Sequence, residues 1–265
     1  MLYDCFIFFN ELELLEIRLN ELDSIVDRFV LVESTRTHTN KPKNLCFAEN
    51  KEKFSKFLNK IIYILVDDFP DSDDPLDLEI HQRNAIVRGL KDAKSDDVIM
   101  ISDVDEIPRP KTVLQIKDNP GIKTLKQNFY YYCLNLLSKG EWLRGTKVLK
   151  YKDLTTPQEI RMCEGIFIDN GGWHFSYLGG AEKVKLKIQS FHHQEFNKPI
   201  YTDLKNIEKR IRKNKDPYER KGYKNKIVPI DETYPKYILN NLDKFKCLIK
   251  KQEESFLKSF FNRFR

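Results

Sequence analysis

The sequence predicts an α/β fold: a Rossmann-like, mostly parallel sheet flanked by helices, with a helical C-terminal extension. Three observations carry that expectation. Short apolar runs rich in β-formers recur through the first hundred residues, stretches of helical period separate them, and the fourth run ends abruptly in a cluster of carboxylates.

Taken in order, 2–9 (LYDCFIFF) is an apolar run of strand length, and 11–22 (ELELLEIRLNEL) sets Leu12, Leu15, Leu19 and Leu22 three or four apart, a helical stripe. Residues 28–33 (RFVLVE) read as a buried strand, 34–45 (STRTHTNKPKNL) as a polar loop and 61–66 (IIYILV) as a third strand. An acidic, proline-containing loop over 67–77 leads to a helix over 78–93, whose apolar face is Ile80, Ala85, Ile86 and Leu90. The fourth strand is 97–102 (DVIMIS). Strands alternating with helices in this way build a parallel sheet.

Beyond residue 120 the order changes. An aromatic strand is expected over 125–137, another over 146–150, and two short ones at 166–168 and 173–177 within the glycine-rich stretch 165–180. A helix follows over 181–191, then a polar, basic stretch over 203–226, and helical segments over 234–250 and 253–264. No repeat or low-complexity linker interrupts the chain, so the expectation is one domain over 1–232 and a helical extension over 233–265.

Composition narrows the class. The chain has 265 residues, 46 Lys and Arg against 40 Asp and Glu, and 40% hydrophobic residues, which excludes a disordered, collagen-like or coiled-coil protein. Five cysteines, at 5, 46, 133, 163 and 247, form no CxxC pair, so neither a zinc knuckle nor a dithiol redox site is supported and free thiols are expected. The opening MLYDCFIFFNE lacks a basic region before its apolar run, and no apolar stretch reaches membrane-spanning length, which leads to the expectation of a cytoplasmic protein. The basic run 205–226 reads as a solvated helix face, and a nucleic-acid partner is not expected. The end, SFLKSFFNRFR, gathers Phe256, Leu257, Phe260, Phe261 and Phe264 beside Lys258, Arg263 and Arg265. Such a helix either packs on the domain or makes a peripheral contact with the inner face of an anionic membrane.

Chemistry concentrates at 101–108 (ISDVDEIP), where Asp103 and Asp105 stand two apart at the end of the fourth strand. Ligands of open parallel sheets sit outside the carboxyl ends of the strands. Two carboxylates there suit Mn²⁺ or Mg²⁺, which prefer oxygen ligands and share them with phosphates. The bare motif is weak, because Asp71-Ser-Asp73 repeats it in a plain loop; its position, Glu106 and Pro108 raise it above a solvated, helix-capping turn. In GGWHFSYLGGAEKV, the pairs Gly171-Gly172 and Gly179-Gly180 allow close backbone approach to a ligand, and Trp173 and Tyr177 offer flat faces for a sugar ring or a base. His174 sits where it could touch the metal or a diphosphate, with His193 a weaker candidate. Glu182, in the first turn of the next helix, is a candidate general base or simply a favourable helix-start residue. Neither GxGxxG nor GxxxxGK[ST] occurs, and HExxH and GxSxG are also absent. What remains open is a metal-dependent nucleotide-sugar transferase, a nucleotidyltransferase, or a non-catalytic nucleotide-sugar or glycan-binding protein.

Three blocks in order, DCFIFFNELELLEIRLNEL…VDRFVLVESTRTHTNKPK, ISDVDEIP and GGWHFSYLGGAE, resemble glycosyltransferase family 17 from about residue 3 to about residue 245. The resemblance implies a GT-A-like fold, a UDP-sugar donor such as UDP-GlcNAc, a divalent metal and inversion at the anomeric carbon. It aligns Asp103 and Asp105 with the family's D-x-D motif, and Glu182 fits the base of inverting enzymes of this fold. It also puts Asn10, Glu33 and Arg83 where such folds bind the nucleotide, with salt-bridged structural roles as the alternative for the last two. The implied partners are the UDP-sugar and a glycan or lipid-linked glycan acceptor, as in surface polysaccharide or glycolipid synthesis.

Overall fold

A computed structural model of the chain describes residues 1–251. The helix expected over 253–264, and the membrane contact assigned to it, lie outside the described residues. Among those described, no helix is long and apolar enough to cross a membrane.

The first half follows the expected alternation: β1 (Leu2–Phe8), α1 (Leu12–Leu22), β2 (Arg28–Ser34), α2 (Cys46–Asn50), β3 (Ile61–Val66), α3 (Pro75–Asn84) and β4 (Val98–Asp103). These strands lie in the order β3-β2-β1-β4, every pair parallel. Both faces are covered, which is why the strands read as near-continuous apolar runs. On one face Phe6, Phe8, Leu31 and Met100 pack with Leu15, Leu19 and Leu22 of α1. On the other, Cys5, Val30, Val32, Ile99 and Ile101 meet Ala85, Ile86 and Leu90. Burying each of these leucines contributes about 1.5–3 kcal/mol.

The second half comprises β5 (Glu106–Pro108), α4 (Pro110–Ile116), β6 (Lys123–Tyr131), β7 (Leu136–Trp142), β8 (Lys147–Lys150), α5 (Pro157–Met162), β9 (Ile166–Ser176), α6 (Ala181–Ser190), α7 (Pro199–Thr202), α8 (Leu204–Arg212), β10 (Asn225–Ile227), α9 (Lys236–Asn240) and α10 (Leu242–Phe245). The sheet continues as β4-β8-β6-β7-β10, with β9 on β6 and β5 on β9. Here the parallel expectation gives way to a mixed sheet: only β6–β9 is parallel. The short link between β6 and β7 has no room for a crossover, so the chain turns back on itself.

Four elements differ from expectation. The helix expected over 78–93 starts earlier, at Pro75, because Asp74 caps it through Leu76 N at 2.9 Å and proline suits a first helical turn. It tightens to a 3-10 turn over Ala85–Gly89, where Gly89 lies so close to Val30 that a Cβ would be 2.5 Å from it. The aromatic strand over 125–137 is two strands, broken at Tyr132, whose φ is 62°. The two short strands of the glycine-rich stretch are one strand, β9, with a register shift between the partners of Leu125 and Gln127. The helical region 234–250 resolves into α9, α10 and a 3-10 turn over Lys246–Leu248.

Candidate active site

A cavity of about 790 Å³ opens at the carboxyl ends of β1, β2 and β4, walled on its far side by β6, β9 and the chain that follows α6. It therefore lies where the parallel half of the sheet meets the mixed half.

The β4–β5 turn presents two carboxylates to it. Asp103, with its side chain one-third exposed, accepts from Arg83 Nη2 at 3.0 Å and Arg161 Nη2 at 3.4 Å. Asp105 is buried, and its Oδ2 lies 2.8 Å from Lys187 Nζ and 3.4 Å from His174 Nε2. Behind them Glu106 takes both Nη atoms of Arg161, at 2.8 and 2.6 Å, and the Trp142 indole N–H at 2.6 Å. Burial pushes the Asp103 and Asp105 carboxyls up, but the Arg161 and Arg83 guanidiniums beside Asp103, and the Lys187 ammonium with the His174 ring beside Asp105, outweigh it and hold both below the usual range. Both are anionic at neutral pH.

A second group joins the edge of the cavity. Glu79 bonds Arg83 Nη2 at 2.7 Å and also meets His192 Nδ1. His38 Nε2 lies 2.8 Å from Gln82 Oε1. His174 is clasped between Phe129 and Trp142, ring centroids 4.7 Å away on each side, and its buried Nδ1 has no hydrogen-bond partner. A proton on Nε2, facing Asp105, leaves Nδ1 with a lone pair. The Asp105 carboxylate thus orients the His174 ring.

Does the turn suit a divalent ion? Among the described residues no group of three or more His, Cys, Asp and Glu side chains converges as a metal cage. Two ionised carboxylates at a cavity wall form an open donor set, of the kind that phosphate oxygens and water complete around Mg²⁺ or Mn²⁺. Asp103 keeps about a third of its side chain exposed on that wall. The residues fit an ion shared with a diphosphate.

Of the residues singled out from sequence, Arg83, Asp103, Asp105, His174, Tyr177 and His193 line this cavity. Four do not. Glu182 is exposed on the first turn of α6 and is absent from the cavity wall; Lys187, five residues on and about 140° round the helix axis, is the one turned inward. Trp173 is core, its indole N–H bonded to Thr233 O at 3.1 Å and Arg109 stacked 4.3 Å from its ring centroid. Glu33 is fully buried and ties down the chain after β2, accepting from Tyr63 Oη at 3.0 Å and Phe47 N at 3.1 Å. Asn10 faces a small neighbouring crevice, while Glu11 beside it reaches the main cavity. Nor do Gly171 and Gly172 approach a ligand: they bring β9 against β5 and β6, and a Cβ on Gly172 would fall 2.1 Å from Ile107 O.

Arg161, Lys187, Glu79, His192 and Trp142 also line the cavity, and the sequence did not signal them. Glu79 and Arg83 at helical i, i+4 spacing were a readable hint; Arg161 and Lys187 sit in ordinary charged helix turns.

Comparison with known proteins adds identity to this geometry. The model of glycosyltransferase family 17 matches residues 1–252. The chain is 25% identical over 288 residues to a β-1,4-mannosyl-glycoprotein 4-β-N-acetylglucosaminyltransferase of Rattus norvegicus, and equally so to that of Mus musculus. The Homo sapiens protein of the same name is 25% identical over 287 residues. Each match covers 91% of this chain and 53% of the relative, so the chain spans about half the length of the curated relatives it matches. A solved 2-C-methyl-D-erythritol 4-phosphate cytidylyltransferase of Francisella tularensis aligns over 63% of this chain and 89% of its own, at 8% identity and a TM-score of 0.35, too slight a likeness to argue from.

Proposed function

Because this chain belongs to glycosyltransferase family 17, we propose that it moves a sugar, GlcNAc, from a UDP-sugar to a hydroxyl of a glycan acceptor, with inversion and with a divalent cation. The observation that carries this reading is that the anionic Asp103–Asp105 turn and the Asp105–His174 pair open on one cavity. The relatives' names, N-acetylglucosaminyltransferases, support GlcNAc as the sugar.

In this reading Asp103 and Asp105 would hold Mn²⁺ or Mg²⁺, which when bound would neutralise charge on the departing diphosphate. Arg83, Arg161 and Lys187 supply fixed positive charge on the same wall, held in place by Glu79, Glu106 and Glu11 before the donor arrives. His174 takes the acceptor hydroxyl's proton while Asp105 beside it steadies the imidazolium. The hydroxyl oxygen attacks the anomeric carbon from the face opposite UDP, the carbon–oxygen bond to UDP breaks through an oxocarbenium-like state, and no covalent sugar–enzyme species forms. Glu182 stays outside this scheme, because it does not border the cavity.

The test is UDP release from UDP-GlcNAc with Mn²⁺, with and without EDTA and with a glycan acceptor panel. His174→Ala is expected to bind UDP and lose roughly 100-fold or more in transfer, whereas Glu182→Gln keeps near-normal transfer. The reverse pattern would return the base to Glu182. Consumption of a nucleoside triphosphate with pyrophosphate release would replace the reading by a nucleotidyltransferase.

A further inference from the structure

Arg18 lies in the middle of α1, on its apolar face, with no exposed surface. Its guanidinium carbon rests 4.5 Å from the centre of the Phe6 ring. A buried arginine must have a partner for each of its five N–H groups. Here all five are used. Nε and Nη2 grip the two oxygens of Asp4 at 2.8 and 2.6 Å, and Nη2 also donates to Ser102 Oγ at 2.6 Å. Nη1 donates to the carbonyl oxygens of Asp103 and Glu106 at 2.9 Å each and lies 3.3 Å from that of Val104. The remaining carbonyl of the turn, Asp105 O, accepts from Phe175 N at 3.0 Å.

A single side chain from α1 thus donates to three of the four carbonyls of the β4–β5 turn, with Thr146 Oγ a second donor to Glu106 O at 3.2 Å. With those carbonyls drawn inward onto Arg18, the side chains of Asp103 and Asp105 are turned the other way, into the cavity they line. Asp4 fixes the guanidinium in turn from β1, the strand next to β4. Anchor and anchored turn share one rigid layer.

We propose that Arg18 is the positioning residue of the acidic turn: it sets the aim of Asp103 and Asp105 at the donor's diphosphate without touching the donor. The inference rests on the reading of that turn as the diphosphate end of the cavity. Lysine cannot replace it, since one ammonium cannot span a carboxylate and three diverging carbonyls.

The experiment compares Arg18→Lys with Asp4→Asn in the full chain. Both disturb the same buried ion pair, but only the first removes the carbonyl contacts. Both variants are expected to melt below wild type. Arg18→Lys should bind UDP in the presence of Mn²⁺ roughly tenfold or more weaker, as misplaced groups lose disproportionately, and its amides at 103–106 should exchange hydrogen faster. Asp4→Asn should keep UDP affinity and protection of the turn near wild type. If Arg18→Lys does not fold, the double variant Arg18→Met with Asp4→Leu removes both charges together and is read the same way. Wild-type UDP affinity and unchanged turn exchange in either Arg18 variant would overturn the proposal. A wild-type protein that binds no UDP would instead overturn the donor reading, and the exchange measurement would still decide what Arg18 holds.

Discussion

Glu79 and His192 face each other at the edge of the cavity, a carboxylate and an imidazole from positions far apart in the chain. Burial lowers the His192 pKa, but its hydrogen bond to Glu79 and the charge there outweigh burial and raise it. Burial likewise raises Glu79, and Arg83 and His192 overturn that and hold its carboxyl far down. A raised histidine contributes stability that is fully present below its ordinary value of about 6.5 and is lost as pH climbs through the folded value. The melting temperature of wild type should therefore exceed that of His192→Gln most clearly near pH about 6, the gap closing as pH rises. A gap that widens with pH would show that the pair is not charged. At this scale the sequence was legible where chemistry sits at a strand end: Asp103, Asp105 and His174 were identifiable. Arg161 and Lys187 were not, because each resembles any solvated helix cation until folding sets it against Asp103 or Asp105.

At the scale of elements, the pairing of β5 with β9 carries the site. Glu106 is opposite His174, Ile107 opposite Trp173 and Pro108 opposite Gly172. One short ladder therefore fixes the imidazole relative to the acidic turn. Gly172 makes it possible: its φ is +139°, and any side chain would strike Ile107 O. Gly172→Ala should cost about 2–4 kcal/mol, combining backbone strain with a contact that only separation of the strands relieves. Chemical denaturation would measure this as a lower midpoint, and UDP release should fall with it. A variant as stable and active as wild type would remove the ladder from this role. The glycine pair was visible in the sequence. Its partner was not, since close approach to a ligand and close approach to a neighbouring strand demand the same residue.

Across the whole molecule, the cavity belongs to neither half of the sheet. The parallel half supplies Asp103, Asp105 and Arg83, and the second half supplies His174, Arg161 and Lys187. Ligand that bridges the two should stabilise the fold as a unit. At one hundred times its dissociation constant, UDP with Mn²⁺ would contribute about 2.7 kcal/mol, or roughly 5–10 °C of melting temperature for a chain of this size. EDTA should remove most of the shift. No shift with any UDP-sugar would sink the donor reading, while a shift indifferent to EDTA would sink the metal alone.

The sequence by itself determined the parallel βα half and the place of the acidic turn. Both are written in local period: strand-length apolar runs, a helical leucine stripe, and carboxylates two apart where a run stops. It also carried the family resemblance, which rests on ordered blocks of residues. Only the tertiary structure decided that Glu182 stands outside the cavity, that Trp173 is core while Trp142 is in the wall, and that Arg18 carries the turn. Those outcomes depend on which faces meet across long sequence separations. A local pattern tells what a side chain can do and which way its helix or strand repeats; packing of distant elements settles what it faces.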